Sequence, residues 1–331
     1  MNHMKPNAVT VGILCATTIL TLAVVARAFG QTAPVPQPMT GITLEFARAI
    51  GAPVDLQPAQ DVREIEKLPG LYKVAGDGGR GWECNVYLAL TPEPVLIDCG
   101  SRVGWNQLMG NLKLAGVQPD SIRWVIATHG HWDHIDAMAL FQRDYPNVKF
   151  AIHAGDAQFV ITDDRVFSCA DPMYKGVPSA PIKVDRILLD GDTMQVGKST
   201  FHIVHTPGHT PGSITVVTEI AGKKVGICGD AVEGYYSPTN RSSVIDFEAS
   251  MRKLLAQDFD LLFTGHRKDP IEGKEAIQAY VMKTLDAASY KRRQLSPDVL
   301  YQDLIYSIEH GKKSPTSADE QFHLPSAKSP P

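Results

Sequence analysis

From Leu71 onward, short runs of β-type residues alternate with stretches of helical spacing. Leu71–Ala75, Val86–Leu90, Val95–Asp98 and Arg123–Ala127 read as strands, and Trp105–Ala115 places its apolar residues at the three-to-four spacing of an amphipathic helix. Asp77-Gly78-Gly79 and Thr91-Pro92-Glu93-Pro94 punctuate them as turns. The pattern resumes with strands over Val148–His153, Arg186–Leu189, Phe201–Val204, Ile214–Thr218, Lys224–Cys228 and Leu261–Phe263, with a hairpin signal at Gly222-Lys223. Asp246 is placed to cap a helix over Phe247–Gln257, Lys274–Ala288 is helical in spacing, and Ser296-Pro297 starts a late helix through Ile308. Hairpins mixed with helical crossovers predict a layered α/β protein whose sheets are partly antiparallel.

The ends of the chain read differently. Lys5 precedes an apolar run from Ala8 to Ala26, and Ala26-Arg27-Ala28 has the small-x-small form of a cleavage site. Residues 1–28 are therefore a signal peptide or, if uncleaved, an N-terminal anchor through residues 8–26, and either places the rest in the periplasm or outside the cell. Leu14 before Cys15 argues against a lipoprotein cysteine. Residues 29–45 form a proline-rich linker, 46–310 a catalytic domain with C-terminal helices, and 311–331 a disordered tail rich in Lys, Ser and Pro. Of the 331 residues 44% are hydrophobic, enough for a substantial core. A net charge of −4, with no basic run beyond Lys291-Arg292-Arg293, excludes a nucleic-acid partner. Cys84, Cys99, Cys169 and Cys228 are an even number, but in a chain of this length they do not imply a disulfide framework.

Chemistry concentrates in Thr128-His129-Gly130-His131-Trp132-Asp133-His134, directly after an apolar strand. Three imidazoles and a carboxylate within six residues are donors that suit Zn²⁺, and a strand end is a rigid place to hold them. Pro207-Gly208 and Pro211-Gly212 flank His209 and predict a tight loop, because Pro sets φ and Gly allows close approach or positive φ. His153, His202 and His205 read as packed or solvated side chains, and Cys228 as a buried thiol. Trp132 is placed to line the mouth of a site or to cover it.

The cluster resembles the His-x-His-x-Asp-His signature of the metallo-β-lactamase superfamily. The likeness continues in order through Asp98 after Val95-Leu96-Ile97, His209 in Pro-Gly-His-Thr-Pro-Gly, Asp230 in Cys228-Gly229-Asp230 and His266 in Thr264-Gly265-His266. It spans about Leu71 to His266. The resemblance implies a four-layer αββα sandwich with mixed sheets and a short helical C-terminal extension. It also implies two zinc ions per chain, one on His129, His131 and His209, a second on Asp133, His134 and His266, with Asp230 bridging and Asp98 orienting a liganding imidazole. Asp133, Asp230 and Tyr235 are the implied catalytic residues; Tyr235, with Tyr236, lies in the loop after Asp230 where a phenol could donate to a developing oxyanion.

The implied function is an exported binuclear zinc-dependent hydrolase that turns a metal-bridging hydroxide on a small-molecule ester, thioester or lactone. The bridging Asp230 is similar to the glyoxalase II and lactonase branches. Glyoxalase II and the related persulfide dioxygenases usually carry Gly-Cys-Gly-Arg soon after that residue, whereas here Ala231-Val232-Glu233-Gly234-Tyr235-Tyr236-Ser237 comes next. β-Lactam hydrolysis, iron-dependent persulfide dioxygenase chemistry and a non-catalytic metal-binding module remain as alternatives. Oligomeric state and substrate identity are not encoded in any motif of the chain.

Overall fold

A computed structural model describes residues 63–65, 67–76, 83–170, 181–233 and 241–294. The signal or anchor segment, the proline-rich linker, the late helix after Ser296 and the tail all lie outside these residues, as does Tyr235 with Tyr236.

Seven strands form one sheet in chain order: β1 (Arg63–Glu64), β2 (Leu71–Ala75), β3 (Val86–Ala89), β4 (Val95–Ile97), β5 (Trp124–Ile126), β6 (Lys149–His153) and β7 (Arg186–Leu188). β1 to β4 pair antiparallel, and β4 to β7 pair parallel. Six strands form the other: β8 (Thr193–Val196), β9 (Ser199–His205), β10 (Ile214–Ile220), β11 (Lys223–Ile227), β12 (Leu261–Phe263) and β13 (Ile271–Glu272), antiparallel except for the β11–β12 pair. The parallel steps in the first sheet are bridged by helices: α1 (Trp105–Leu114) between β4 and β5, then α2 (Trp132–Ile135) and α3 (Met138–Asp144) between β5 and β6, and α4 (Ala154–Ile161) before β7. In the second sheet α5 (Val244–Leu255) makes the β11–β12 crossover and α6 (Lys274–Gln294) comes after β13.

Period-two alternation decides which way each strand residue faces. Val95 and Ile97 face the opposite sheet and join Phe201, Ile203, Val216 and Phe263 in the central apolar layer. Leu96, between them, faces outward and packs with Leu108, Leu112, Leu140 and Phe141 from the helices. Val217 and Leu262 turn outward from the second sheet toward Phe247, Met251, Ile277 and Val281. Three apolar layers separating four layers of secondary structure make the αββα sandwich that the resemblance implied. Each fully buried Leu, Ile, Val or Phe there contributes roughly 1.5–3 kcal/mol of transfer free energy.

Three local expectations shift. The helix α5 begins at Val244, and its cap is Ser243, whose Oγ accepts from the backbone N–H of Asp246, so Asp246 sits inside the first turn. The hairpin turn is Ala221-Gly222, one residue earlier than the signal at Gly222-Lys223. Ile220 pairs with Lys223, and both turn residues take positive φ (52° and 72°), the type I′ geometry that suits the right-handed twist of the strands. The helix expected to stop at Ala288 runs to Gln294.

Candidate metal centre

The strands β4, β5, β9, β11 and β12 all finish at one end of the sandwich, because the parallel β4–β5 and β11–β12 pairs point their C-termini the same way. Polar residues lie just past these strand ends. Asp98 comes directly after β4, Thr128 to His131 after β5, His209 in the β9–β10 turn, Asp230 after β11 and His266 after β12. Backbone bonds tie these ends across the two sheets: Ile214 N–H donates to Thr128 O (2.8 Å), Asn85 N–H to Gly265 O (2.6 Å) and Gly265 N–H to Gly229 O (2.8 Å).

The donor atoms converge. One nitrogen each from His129, His131 and His209 lies within 4.8 Å of the others, and so do donors of Asp133, His134 and His266. His131 Nδ1 is 3.0 Å from His209 Nε2. Asp230 stands between the two groups, with Oδ1 3.4 Å from His134 Nε2 and Oδ2 3.4 Å from His209 Nε2 and 3.3 Å from His266 Nε2. Asp133 Oδ2 is 3.3 Å from His266 Nε2 and 3.6 Å from His134 Nε2. All seven residues named from the sequence as donors are thus brought together. His202 is exposed, and His205 stacks on His153 with ring centroids 3.9 Å apart; neither joins the donor groups. Cys228 is buried, its thiol donating to Phe263 O.

A divalent cation fits this donor set on two observations. Buried polar atoms are ordinarily hydrogen-bonded, yet His129 Nε2, His134 Nε2 and Asp230 Oδ1 make no hydrogen bond among the described residues. The spacings also agree: two ligands on bonds of about 2.1 Å at a tetrahedral angle stand roughly 3.4 Å apart, against the observed 3.0–3.6 Å.

Electrostatics favour neutral imidazoles on one side and ionised carboxylates between. Burial holds His129 well below the ordinary histidine range, helped by the neighbouring His134 and His131. Burial, then His209, brings His131 to about 3. Burial works against a charge on Asp230, but His266 and His134 beside it hold the carboxyl well below the ordinary range. An unprotonated imidazole and an ionised carboxylate are the forms a cation takes.

The orientation of the donors is set one layer further out. Asp98, at φ 60°, turns its carboxylate inward; Oδ1 accepts from the backbone N–H of Thr128 (2.7 Å), and Oδ2 accepts from Thr128 Oγ1 (2.8 Å) and pairs with His134 Nδ1 (2.8 Å). With Nδ1 so engaged, His134 presents Nε2 to the centre. Gly208 takes φ 138° in the tight loop, and a side chain there would collide with Phe247. Sequence reasoning passed over Thr128 and Cys84. Thr128 is only a hydroxyl in the signature's first position, and Cys84, buried beside Asp98 and His134, comes from a loop 14 residues ahead of Asp98 with no ligand spacing to mark it.

A four-layer sandwich that gathers buried His and Asp donors at one end of both sheets is the framework of a metal-dependent hydrolase. Residues 79–266 match the model of the metallo-beta-lactamase superfamily, and the chain belongs to that superfamily. It is 29% identical over 157 residues to a "Probable metallo-hydrolase" of Methanocaldococcus jannaschii, covering 47% of this chain and 71% of that one. It is 27% identical over 190 residues to an atrochrysone carboxyl ACP thioesterase of a Cryptosporiopsis species, covering 56% of this chain and 50% of that one. Among solved structures, BJP-1, a subclass B3 metallo-beta-lactamase of Bradyrhizobium japonicum, shares the fold with a TM-score of 0.60 at 18% identity, over 72% of this chain and 96% of that one.

Proposed function

We propose that this protein is a binuclear zinc hydrolase acting on an ester, thioester or lactone. The observation that carries the proposal is Asp230, whose carboxylate lies against both donor groups: Oδ2 is near His209 of one and His266 of the other, and Oδ1 is near His134. A carboxylate so placed could serve cations held by both donor groups. Zinc bound there supplies Lewis-acid polarisation of a carbonyl and lowers the pKa of water toward 7.

The chain's own residues do the rest. His129, His131 and His209 form one position and Asp133, His134 and His266 the other, each with three protein donors beside the shared Asp230, an open arrangement rather than a closed structural one. Asp98 fixes the tautomer and direction of His134. Asp133, less buried than Asp230, accepts the proton that the attacking water releases. Tyr235 is proposed to donate to the oxygen that gains charge. Ester, thioester or lactone cleavage is favoured over β-lactam cleavage by the place of Asp230 between the donor groups and by a relative named as a thioesterase. Export belongs to the same proposal, on the order of Lys5, the apolar run and Ala26-Arg27-Ala28.

The test is a panel of β-lactam, lactone, thioester, phosphodiester and sulfate ester substrates on zinc-loaded protein, with Asp133→Ala as control. Turnover of the acyl substrates that falls at least about 100-fold in Asp133→Ala supports the reading. Bound zinc with no turnover of any substrate would make the protein a binding module.

A further inference from the structure

We propose that Asp156 is a positioning residue: it clamps the loop bearing His129 and His131 to the loop bearing His209, and so sets how tightly this three-imidazole group takes a divalent cation. The inference rests on the metal-centre reading above and concerns a residue that belongs to neither donor group.

Asp156 lies in the first turn of α4 with no exposed surface. Its carboxylate accepts from two loops at once. Oδ2 takes the backbone N–H of Gly130 (2.9 Å) and the hydroxyl of Thr210 (2.7 Å), while Oδ1 takes the backbone N–H of Gly212 (2.6 Å). Gly130 lies between His129 and His131, and Thr210 is next to His209. The carboxylate therefore grips each loop beside its donors, and the atoms whose separation it governs include His131 Nδ1 and His209 Nε2, 3.0 Å apart.

The seat is built for close approach. A side chain at Gly212 would sit 2.5 Å from Asp156 Cγ, and one at Gly155 would sit 2.6 Å from Pro211 O. Both glycines let α4 press against the His209 loop, which explains Gly212 in the Pro-Gly-His-Thr-Pro-Gly stretch more specifically than a turn does. The backbone bond between the two loops among the described residues, Ile214 N–H to Thr128 O, joins them outside the span from His129 to His131 and beyond His209. Without Asp156 the loops would be tethered at the root, and beside the donors only through the His131 and His209 rings themselves.

An amide in place of the carboxylate keeps the size and removes one acceptor. If its NH₂ replaces Oδ1, it faces the Gly212 N–H; if it replaces Oδ2, it faces the Gly130 N–H. The first orientation costs the His209 loop its Gly212 bond and leaves it on Thr210 alone, the second releases the Gly130 loop, and such a loss near the donors ordinarily weakens metal binding about 10–100-fold.

The experiment is zinc affinity by chelator competition, with cobalt(II) absorption as a second readout, on the full chain in two backgrounds. His266→Ala keeps the three-imidazole group, and His209→Ala keeps the Asp133, His134 and His266 group. Asp156→Asn is expected to weaken binding about 10–100-fold and to alter the cobalt spectrum in the first background, while leaving the second within twofold. Leu140→Ala, a change in α3 within the outer apolar layer and outside both loops, serves as the destabilised control and should leave both affinities in place. Equal weakening in both backgrounds, or weakening matched by Leu140→Ala, overturns the inference. Should Asp156→Asn fail to fold, Thr210→Val decides: it removes one of the three donors, and is expected to weaken the first background severalfold, with an unchanged affinity overturning the proposal. A parent chain that binds no zinc would defeat the metal-centre reading itself, whereas tight parent binding unmoved by Asp156→Asn defeats only the clamp.

Discussion

His131 Nδ1 and His209 Nε2 stand 3.0 Å apart although 78 residues separate them in the chain. Burial keeps both imidazoles below the ordinary histidine range and so favours their neutral forms, which leaves the contact to be held either by one ring's N–H donating to the other's nitrogen or by a cation on both lone pairs. A cation on both lone pairs would hold the two loops more firmly than that single neutral hydrogen bond. Stripping metal with a chelator should therefore lower the thermal midpoint, and zinc should restore it, by the linkage RT ln(1 + [L]/Kd) of about 2.7 kcal/mol at a hundredfold excess over Kd. Calorimetry with and without zinc checks this, and no shift would count against a resident cation.

Gly265 tests the geometry without touching a donor. A Cβ there would run into Asp230 Oδ1 and come within 2.9 Å of His134 Cε1. Gly265→Ala is expected to lower bound metal and to cut turnover by at least about 100-fold, since misplacing a reacting group by about 1 Å costs that much. Metal analysis by mass spectrometry alongside kinetics would show it; full metal content with full activity would contradict the packing.

Asp98→Asn removes the charge that holds His134 Nδ1 and the Thr128 loop. Zinc affinity should fall about 10–100-fold, as is typical when the partner of a liganding imidazole is changed. Competition with a chromogenic chelator measures it.

The His153–His205 stack predicts a pH effect remote from the donors. Burial, then the facing His205, lowers His153 to about 4, below the roughly 6.5 of an unfolded histidine. As pH falls below about 6.5 the unfolded chain takes up a proton that the folded chain refuses, so the stability contributed is full above that value and is lost progressively down to about pH 4. Urea midpoints from about pH 7.5 to 4.5 should drop more steeply in the parent than in His153→Asn, which keeps a side chain able to cap α4 as His153 does for Gly155 N–H. Parallel slopes would show that His153 titrates normally.

Arg102 and Asp136 form a buried, two-pronged pair, with Nε to Oδ2 at 2.7 Å and Nη2 to Oδ1 at 2.5 Å. Arg102→Ala takes the guanidinium from a buried carboxylate, which keeps the backbone N–H of residue 102, and should destabilise the fold by about 3–5 kcal/mol, whereas replacing both partners by apolar residues should cost much less. Denaturant unfolding of the single and double variants separates the outcomes.

The donors were legible because they belong to local runs. His129 to His134 sit within one loop and its adjoining turn, Asp98, Asp230 and His266 each come after an apolar strand, and side-chain type alone marks them as cation donors. Strand alternation likewise made the layered α/β class readable, since Val95, Leu96 and Ile97 can be sorted to opposite faces by period two. Other features depended on atoms that adjacency does not reveal. Ser243 and Asp246 are both good caps three residues apart, and only the extended backbone at Ser243 settled which one accepts. Asp156 reads in the chain as an ordinary acid in a helix's first turn, because its three partners lie 26, 54 and 56 residues away. Identity of the ligating groups is thus written in short stretches of sequence, while their spacing, the sharing of Asp230 and the clamp across two loops arise only when the ends of two sheets are packed face to face. Hydrogen bonds and donor distances are short-range in space, and folding alone converts large separations along the chain into contacts of about 3 Å.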